Sequence, residues 1–332
     1  MNYNDNLTND EENSFISPCQ FYDFSTIAGV VFIMITIISV IGNILLMCVL
    51  FTFEKLNLVT KIFILNLACS DLIFTATLPF WAVYHLDHWI FGGFLCKFIT
   101  AAYFTGLYSS IILLTAMTVD RFFTVVLNNW PNNNLRKKQC AICACVVAWV
   151  VSIGTSVHDA LKMEVYDDYY CEASSSDELG YYFQVALLFF VPFAIIIVCH
   201  CAIINTVLRA TNRTRHKALT IVFCIVGAYI ICWGPYNILL LIKSLYQPKA
   251  CESVERLDIV YNICRILAFS HCCMNPLLFM LTQKLRNHLL CLLRCKVVGM
   301  RNRERATDQN MSGFQNVSTA CHSGVVLEEY NR

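Results

Sequence analysis

Charge is scarce in this sequence. Asp, Glu, Lys and Arg make up 14% of its 332 residues, where a soluble domain carries about 25%, so there is too little charge to coat a water-facing surface. Residues 1–23 contain no Lys or Arg and no small-residue cleavage site. No removable signal peptide is therefore expected, and the first apolar segment serves as both targeting signal and anchor. No internal repeat is evident, which counts against an inverted-repeat transporter. Gly-x-Ser-x-Gly, His-Glu-x-x-His and a phosphate-cradling glycine loop are all missing, so the chain reads as a non-enzyme with no organic cofactor. The net charge is +1 and implies no partner, nucleic acid included; the distribution of charge is more informative.

What is present is apolar. Hydrophobic residues reach 57%, and seven stretches are long enough for the roughly 20 residues that a helix needs to cross a bilayer. They fall at 25–52, 59–84, 96–126, 139–161, 181–208, 217–245 and 257–282. An all-α membrane protein with a seven-transmembrane helix bundle is expected. Lys55, Arg136, Lys137, Lys138, Arg209, Arg213, Arg215, Lys217, Lys284, Arg286, Arg294 and Lys296 share one side. The other side holds few, among them Lys97, Lys162, Lys249 and Arg256. The N-terminus is thus placed outside and the C-terminus in the cytoplasm. The outer segments carry Asp5, Asp10, Glu11, Glu12 and Asp23, then Glu164, Asp167, Asp168, Glu172, Asp177 and Glu178. That is either an ordinary solvated surface or a field that speeds encounter with a basic ligand. After span seven, Leu285, Leu289, Leu292 and Leu293 with neighbouring basic residues describe a short interfacial helix over 283–296. The chain divides into an acidic outer segment 1–24, a bundle 25–282, that interfacial helix and a tail 297–332.

Polar groups within spans are costly and mark candidate function. Asp71 lies mid-span, and Asn43, Ser110 and Asn275 stand at similar depth in other spans. The cluster reads equally as a site for a small cation with water or as hydrogen-bonded glue between helices. Asp120-Arg121 ends span three, where the arginine either has a role or snorkels to the headgroups. Pro79, Pro192, Pro235 and Pro276 each sit inside a span and mark kinks or hinges. Of the 19 cysteines most lie in apolar runs, where a thiol packs as a small side chain. Cys140-Ala-Ile-Cys143 has redox or zinc spacing but no second pair, and reads as packing. Cys96 starts span three at the outer side, and Cys19, Cys171 and Cys251 lie in outer segments on the same oxidising face; two disulfides are expected, with three pairings open. Asn6-Leu-Thr8 is an outward glycosylation sequon, and Cys291 and Cys295 are palmitoylation candidates.

Gly42-Asn43, Leu65-Asn-Leu67 with Asp71, Asp120-Arg121, Trp149, Pro192, Cys232-Trp-Gly-Pro235 and Asn275-Pro276 appear in order, each in its own span. This set resembles the rhodopsin-like G-protein-coupled receptors. Thr77-Leu-Pro79 with Trp81, and His271-Cys-Cys-Met-Asn-Pro276, resemble the chemokine receptors among them. Leu107-Tyr-Ser-Ser110, Trp233-Gly-Pro-Tyr-Asn237 and Cys264-Arg-Ile-Leu-Ala-Phe-Ser-His271 look like the XC-type (lymphotactin) receptors. In many chemokine receptors a glutamate stands where this chain has Arg265.

The resemblance implies several expectations. It pairs Cys96 with Cys171 and Cys19 with Cys251. A basic, lymphotactin-like chemokine docks on the outer segment, where Tyr22 beside Asp23 is a sulfation candidate. The ligand's N-terminal segment then enters a mouth lined by Trp81, Tyr84, Tyr103, Tyr236 and Arg265; for any one of these aromatics ordinary packing is the competing reading. Arg265 needs a counter-charge, either a carboxylate on another helix or one on the ligand. Trp233 and Pro235 form the bend of span six, and Arg121 the inner latch toward a heterotrimeric G protein, of the Gi type by family. Asp71 is a candidate allosteric sodium site. Ser312, Ser318, Thr319 and Ser323 are phosphorylation candidates for arrestin. Retinal is disfavoured because span seven has no lysine before Gln283-Lys284, and an amine ligand by Tyr103, where amine receptors carry aspartate. Three positions depart from the pattern: Phe122 and Phe279 replace tyrosines, and His200 stands where span five has one. They keep a ligand-scavenging receptor with weak coupling open as an alternative. A transporter or channel is the remote one.

Overall fold

Every apolar stretch found in the sequence is predominantly helical over its described residues. The chain runs α1 (Ser25–Thr52), α2 (Leu58–Leu86), α3 (Gly92–Phe122) with a π-helical turn at Phe123–Leu127, and α4 (Asn134–Leu161). A hairpin of β1 (Met163–Tyr166) and β2 (Tyr170–Ala173) precedes α5 (Glu178–Leu208), α6 (Arg213–Leu245), α7 (Cys251–Phe269) and α8 (His271–Met280). This computed structural model describes residues 24–52, 58–127, 134–167, 169–173, 178–209, 213–245 and 251–280. Asn6, Cys19 with its expected bond to Cys251, Tyr22, Asp23, Cys291, Cys295, the interfacial helix and the tail serines and threonine lie outside them.

Among the described residues six helical stretches are long and apolar enough to cross a membrane, and α6 holds a shorter apolar one at Gly227–Lys243. In α1, Ile33, Met34, Ile37, Ile38, Ile41 and Ile44 face outward, while Ser39 and Asn43 are fully buried. Burying polar groups and exposing aliphatic ones is the reverse of a soluble helix and is what a hydrocarbon solvent selects. Hydroxyls inside the bundle bond one turn back along their own helix, as Thr36 does to the Phe32 carbonyl at 2.8 Å and Thr118 to that of Leu114 at 2.9 Å. A hydroxyl donor is thereby satisfied without water.

Two glycines set how closely helices cross. A Cβ on Gly106 would lie 2.6 Å from the backbone nitrogen of Phe74, so α3 presses on the backbone of α2 there. A Cβ on Gly42 would lie 2.9 Å from the ring of Pro276, so α1 meets α8 there.

Span seven, expected as one helix, is two: α7 ends at Phe269 and α8 begins at His271. Further along, Pro276 has no N–H to give the carbonyl of Cys272. Asn43 Nδ2 donates to that oxygen at 3.0 Å and Ser39 Oγ at 3.3 Å. The irregular span is therefore tied to α1 by the groups that satisfy its freed carbonyl.

The outer hairpin departs from the all-α expectation. Val165 pairs with Cys171 in its antiparallel register, and Asp167 takes φ 51° between the strands. Cys171 is bonded to Cys96 in the first turns of α3, with Cα atoms 5.8 Å apart, so this half of the expected disulfide pairing is present. Trp89 is buried beneath the bridge with Cys96, Ile99 and Cys171, and its backbone N–H donates to the Tyr169 carbonyl at 2.9 Å.

Candidate functional site

Four of the five candidate mouth residues fall into two aromatic groups. On α2 and α3, Trp81 lies 6.1 Å from both Tyr84 and Tyr103 between ring centroids, and Trp89 stands 5.7 Å from Trp81. On α6 and α7, the rings of Tyr236 and Tyr261 are 5.5 Å apart with their hydroxyls at 3.4 Å. Phe269 extends the first group toward α1, 5.6 Å from Tyr103 and 5.0 Å from Phe32. These separations suit tilted and edge-to-face aromatic packing. Tyr103 and Tyr236 are buried in this conformation, while Trp81 is half-buried.

Arg265 stands between the groups. Its guanidinium carbon lies 5.7 Å from the ring centre of Phe32 and 5.8 Å from that of Tyr261. One Nη donates to Asn262 Oδ1 at 2.7 Å, and Nε is buried with no hydrogen-bond partner. No Asp or Glu among the described residues forms an ion pair with it. Of the two counter-charges expected for Arg265, the one on a neighbouring helix is absent among these residues. The indole N–H of Trp81 is likewise buried without a partner. At the rim, Lys243 of α6 pairs with Asp258 of α7 at 3.3 Å and sits 4.2 Å from the ring centre of Tyr261.

Deeper in the bundle Asp71 is fully buried. Ser110 Oγ donates to Oδ1 at 3.2 Å and Asn275 Nδ2 to Oδ2 at 2.8 Å. His271 Nε2 lies 3.9 Å from Oδ1, while its Nδ1 lies 2.8 Å from the Ala268 carbonyl. Asn43 was expected to face the carboxylate. It joins the layer one step removed instead: it bonds Ser39 Oγ at 3.2 Å, Ser39 bonds Thr75 at 2.7 Å, and Thr75 donates to the backbone oxygen of Asp71 at 2.6 Å. The freed Cys272 carbonyl draws the amide of Asn43 away from Asp71. Trp233 packs edge-on against His271 with centroids 5.0 Å apart, so α6 just before Pro235 touches the layer through an imidazole.

The donor set around Asp71 admits a monovalent cation. The carboxylate oxygens meet only neutral hydroxyl and amide donors among the described residues, with His271 beyond hydrogen-bond range. Asn43 Oδ1 in the same layer is a buried acceptor with no partner. Oxygen donors of this kind suit a hard cation. No group of three or more His, Cys, Asp or Glu suited to a transition metal occurs among the described residues.

In the last turn of α3 Arg121 donates through Nη2 to Thr60 Oγ1 of α2. Trp149 Nε1 donates to Asn66 Oδ1 at 3.0 Å, joining α4 to α2. Sequence reasoning passed over Thr60, Tyr261 and Asn262, which carry no motif of their own, and gave Phe269 no role although it lies within the Cys264–His271 run. It also passed over Asp159, a buried carboxylate on α4 that accepts from Tyr108 Oη at 3.1 Å. The signal was there in that case, an acid within a span.

Six long apolar helices and a seventh shorter apolar stretch, with polar groups buried between them, define a multi-span helical membrane protein. The pattern described as "7 transmembrane receptor (rhodopsin family)" matches residues 42–279. The chain is 38% identical over 291 residues to Chemokine XC receptor 1 of Homo sapiens, covering 83% of this chain and 85% of that protein. It is 36% identical over 268 residues to Chemokine XC receptor 1 of Mus musculus, covering 80% and 83%. C-C chemokine receptor type 3 of Cavia porcellus is 31% identical over 261 residues, covering 75% and 73%. The chain belongs to the chemokine receptors of the rhodopsin family of seven-transmembrane receptors.

Proposed function

We propose that the chain acts at the plasma membrane, N-terminus outside, as the receptor of a basic XC-type (lymphotactin-like) chemokine. It passes binding to a Gi-type G protein and cell migration, and is afterwards engaged by arrestin. The observation that carries the reading is Arg265. A guanidinium inside a span with a buried, unpartnered Nε and no carboxylate partner among the described residues suits an incoming carboxylate, which a charge-assisted bond would hold strongly. The aromatic groups on either side would close on the ligand's N-terminal segment. Binding then biases an existing equilibrium toward an open inner face. Trp233 transmits the change from the mouth to His271 and the Asp71 layer, and Arg121 leaves Thr60. Asp71, with Ser110 and Asn43 supplying oxygens, would hold a sodium ion that favours the resting state.

The test applies lymphotactin-like and other chemokines to cells expressing the full chain, recording G-protein activation and ligand uptake together. Activation by an XC-type ligand is expected, lost in Arg121→Ala and weakened by at least about tenfold in Arg265→Ala, since truncating one member of a buried charge pair costs about 2–5 kcal/mol. Uptake without activation would make it a scavenger, the alternative that Phe122, His200 and Phe279 keep open. Binding by no chemokine would overturn the proposal.

A further inference from the structure

Cys140 and Cys143 belong to neither the mouth nor the buried layer. Their spacing is that of a redox or zinc pair and the lack of a second pair suggested packing, but the structure exposes both residues on the outside of α4. Cys145, two residues on, shows what a packing cysteine on this helix looks like: it is buried in the bundle core. Arg136, Cys140, Cys143, Val147 and Val150 recur at helical spacing and are all exposed, so they form one face of α4. That face is basic at its start, with Lys137 and Lys138 beside Arg136, and aliphatic beyond.

We propose that Cys140 and Cys143 form a site of S-acylation by a long-chain fatty acyl group. The inference rests on the orientation proposed above, which puts the start of α4 at the cytoplasmic headgroups. Helical rise then sets the thiols about 3 Å and 8 Å deeper than Lys138. A long-chain acyl-coenzyme A dissolves its chain in lipid and keeps its nucleotide in water, so its thioester carbonyl lies at this same boundary. The basic residues draw the anionic donor and anionic lipid to the spot. In the transfer, the cysteine thiolate attacks the thioester carbonyl carbon. The bond to the coenzyme A sulfur breaks, and coenzyme A leaves as a thiolate that takes up the proton the cysteine gave away. The new chain lies along Val147 and Val150, about 10 Å of lipid-facing helix. A disulfide between the two thiols is disfavoured because the cytoplasm keeps thiols reduced.

The test expresses the full chain with Cys291→Ser and Cys295→Ser, which removes the candidate tail sites. Free thiols are blocked, thioesters are cleaved with hydroxylamine, and the released thiols receive a polymer mass tag. One or two hydroxylamine-dependent tags are expected. They vanish when Cys140→Ala and Cys143→Ala are added and persist with Cys48→Ala, another exposed thiol. Tags that survive loss of Cys140 and Cys143, or no tag at all, overturn the proposal. Should the added substitutions stop folding, mass spectrometry of the parent chain must find the acyl group on the peptide containing Cys140, and its absence there is equally fatal. A membrane-impermeant maleimide on intact cells separates the two failures. Labelling of Cys140 from outside overturns the orientation and the site with it, whereas a shielded but unacylated Cys140 overturns the site alone.

Discussion

Replacing Gly106 by alanine sets two effects of opposite sign against each other. Alanine favours a helix interior by about 0.5–1 kcal/mol over glycine. The added methyl, however, would sit 2.6 Å from the Phe74 nitrogen, 2.8 Å from its Cβ and 2.9 Å from its Cα, where comfortable contact is about 3.5–4.0 Å. Backbone cannot swing aside as a side chain can, so α2 and α3 must part by nearly 1 Å. Overpacking of this kind costs about 1–3 kcal/mol. Parting the helices also stretches the bond from Ser70 Oγ to the Gly106 carbonyl, 2.8 Å long, and interhelical polar contacts in bilayers average about 0.6 kcal/mol. The net loss is about 1–3 kcal/mol, which at about 2–4 °C per kcal/mol for a bundle of this size lowers the melting temperature measurably. The assay is thermal unfolding of the purified full chain in detergent, followed by dye labelling of buried thiols such as Cys145 and Cys272. Gly154→Ala is the matched control: its Cβ meets nothing within 4 Å, so only the propensity remains and the melting temperature holds or rises. If both substitutions behave alike, the close crossing of α2 and α3 is wrong.

Cys96→Ser together with Cys171→Ser opens a bridge between residues 75 apart in sequence. It should cost about 2–5 kcal/mol and lower surface expression and ligand binding by flow cytometry; wild-type levels of both would deny the bridge a structural role. Thr60→Val keeps shape but removes the acceptor held by Arg121, a charge-assisted bond worth about 1.5–3 kcal/mol. Ligand-independent nucleotide exchange in membranes should rise on the order of tenfold, and unchanged exchange would mean that the contact is no latch. Asp71→Asn preserves the size of a side chain bonded to Ser110 and Asn275 but removes its charge. Ligand affinity should lose its difference between sodium and choline buffers, and a difference that persists would place the cation elsewhere.

How much of this was legible depends on the solvent. Lipid leaves a chain few options, so apolar length alone located span one at 25–52, where α1 is Ser25–Thr52. Asp71, Ser110 and Asn275 were legible for a related reason: polar groups at equal depth have few other partners. The partner of the Asn43 amide was not legible because it is a backbone oxygen, and no pattern in α1 reveals which carbonyl Pro276 leaves open on α8. The β1–β2 hairpin escaped because four-residue strands with glutamates on them look like any acidic loop. Thr60 escaped because the guanidinium that selects it arrives from another helix.

The three departures from the family pattern bear on signalling, and the structure prices two of them. Phe122 packs with Val125 and Val126 against buried Ile203, an apolar setting where a tyrosine hydroxyl would have no partner among those residues. Its loss costs nothing there. His200 is buried on α5 with Nδ1 2.9 Å from the Ile196 carbonyl one turn back, so the imidazole is held by its own helix. By the family's pattern, tyrosines at the positions of His200 and Phe279 steady the open inner face. One net hydrogen bond is worth about 1 kcal/mol, so two hydroxyls amount to about 2 kcal/mol, a shift of about 30-fold in the open-to-closed ratio. A ligand that favours the open state by a factor of several thousand overrides such a shift, and the unliganded receptor does not. The expected result is a quiet receptor that still responds. His200→Tyr combined with Phe279→Tyr should raise ligand-independent nucleotide exchange by up to about 30-fold while leaving the maximal chemokine response within about twofold. A maximal response that appears only in the doubly substituted chain would show that the native sequence binds without signalling, and the scavenger reading would stand.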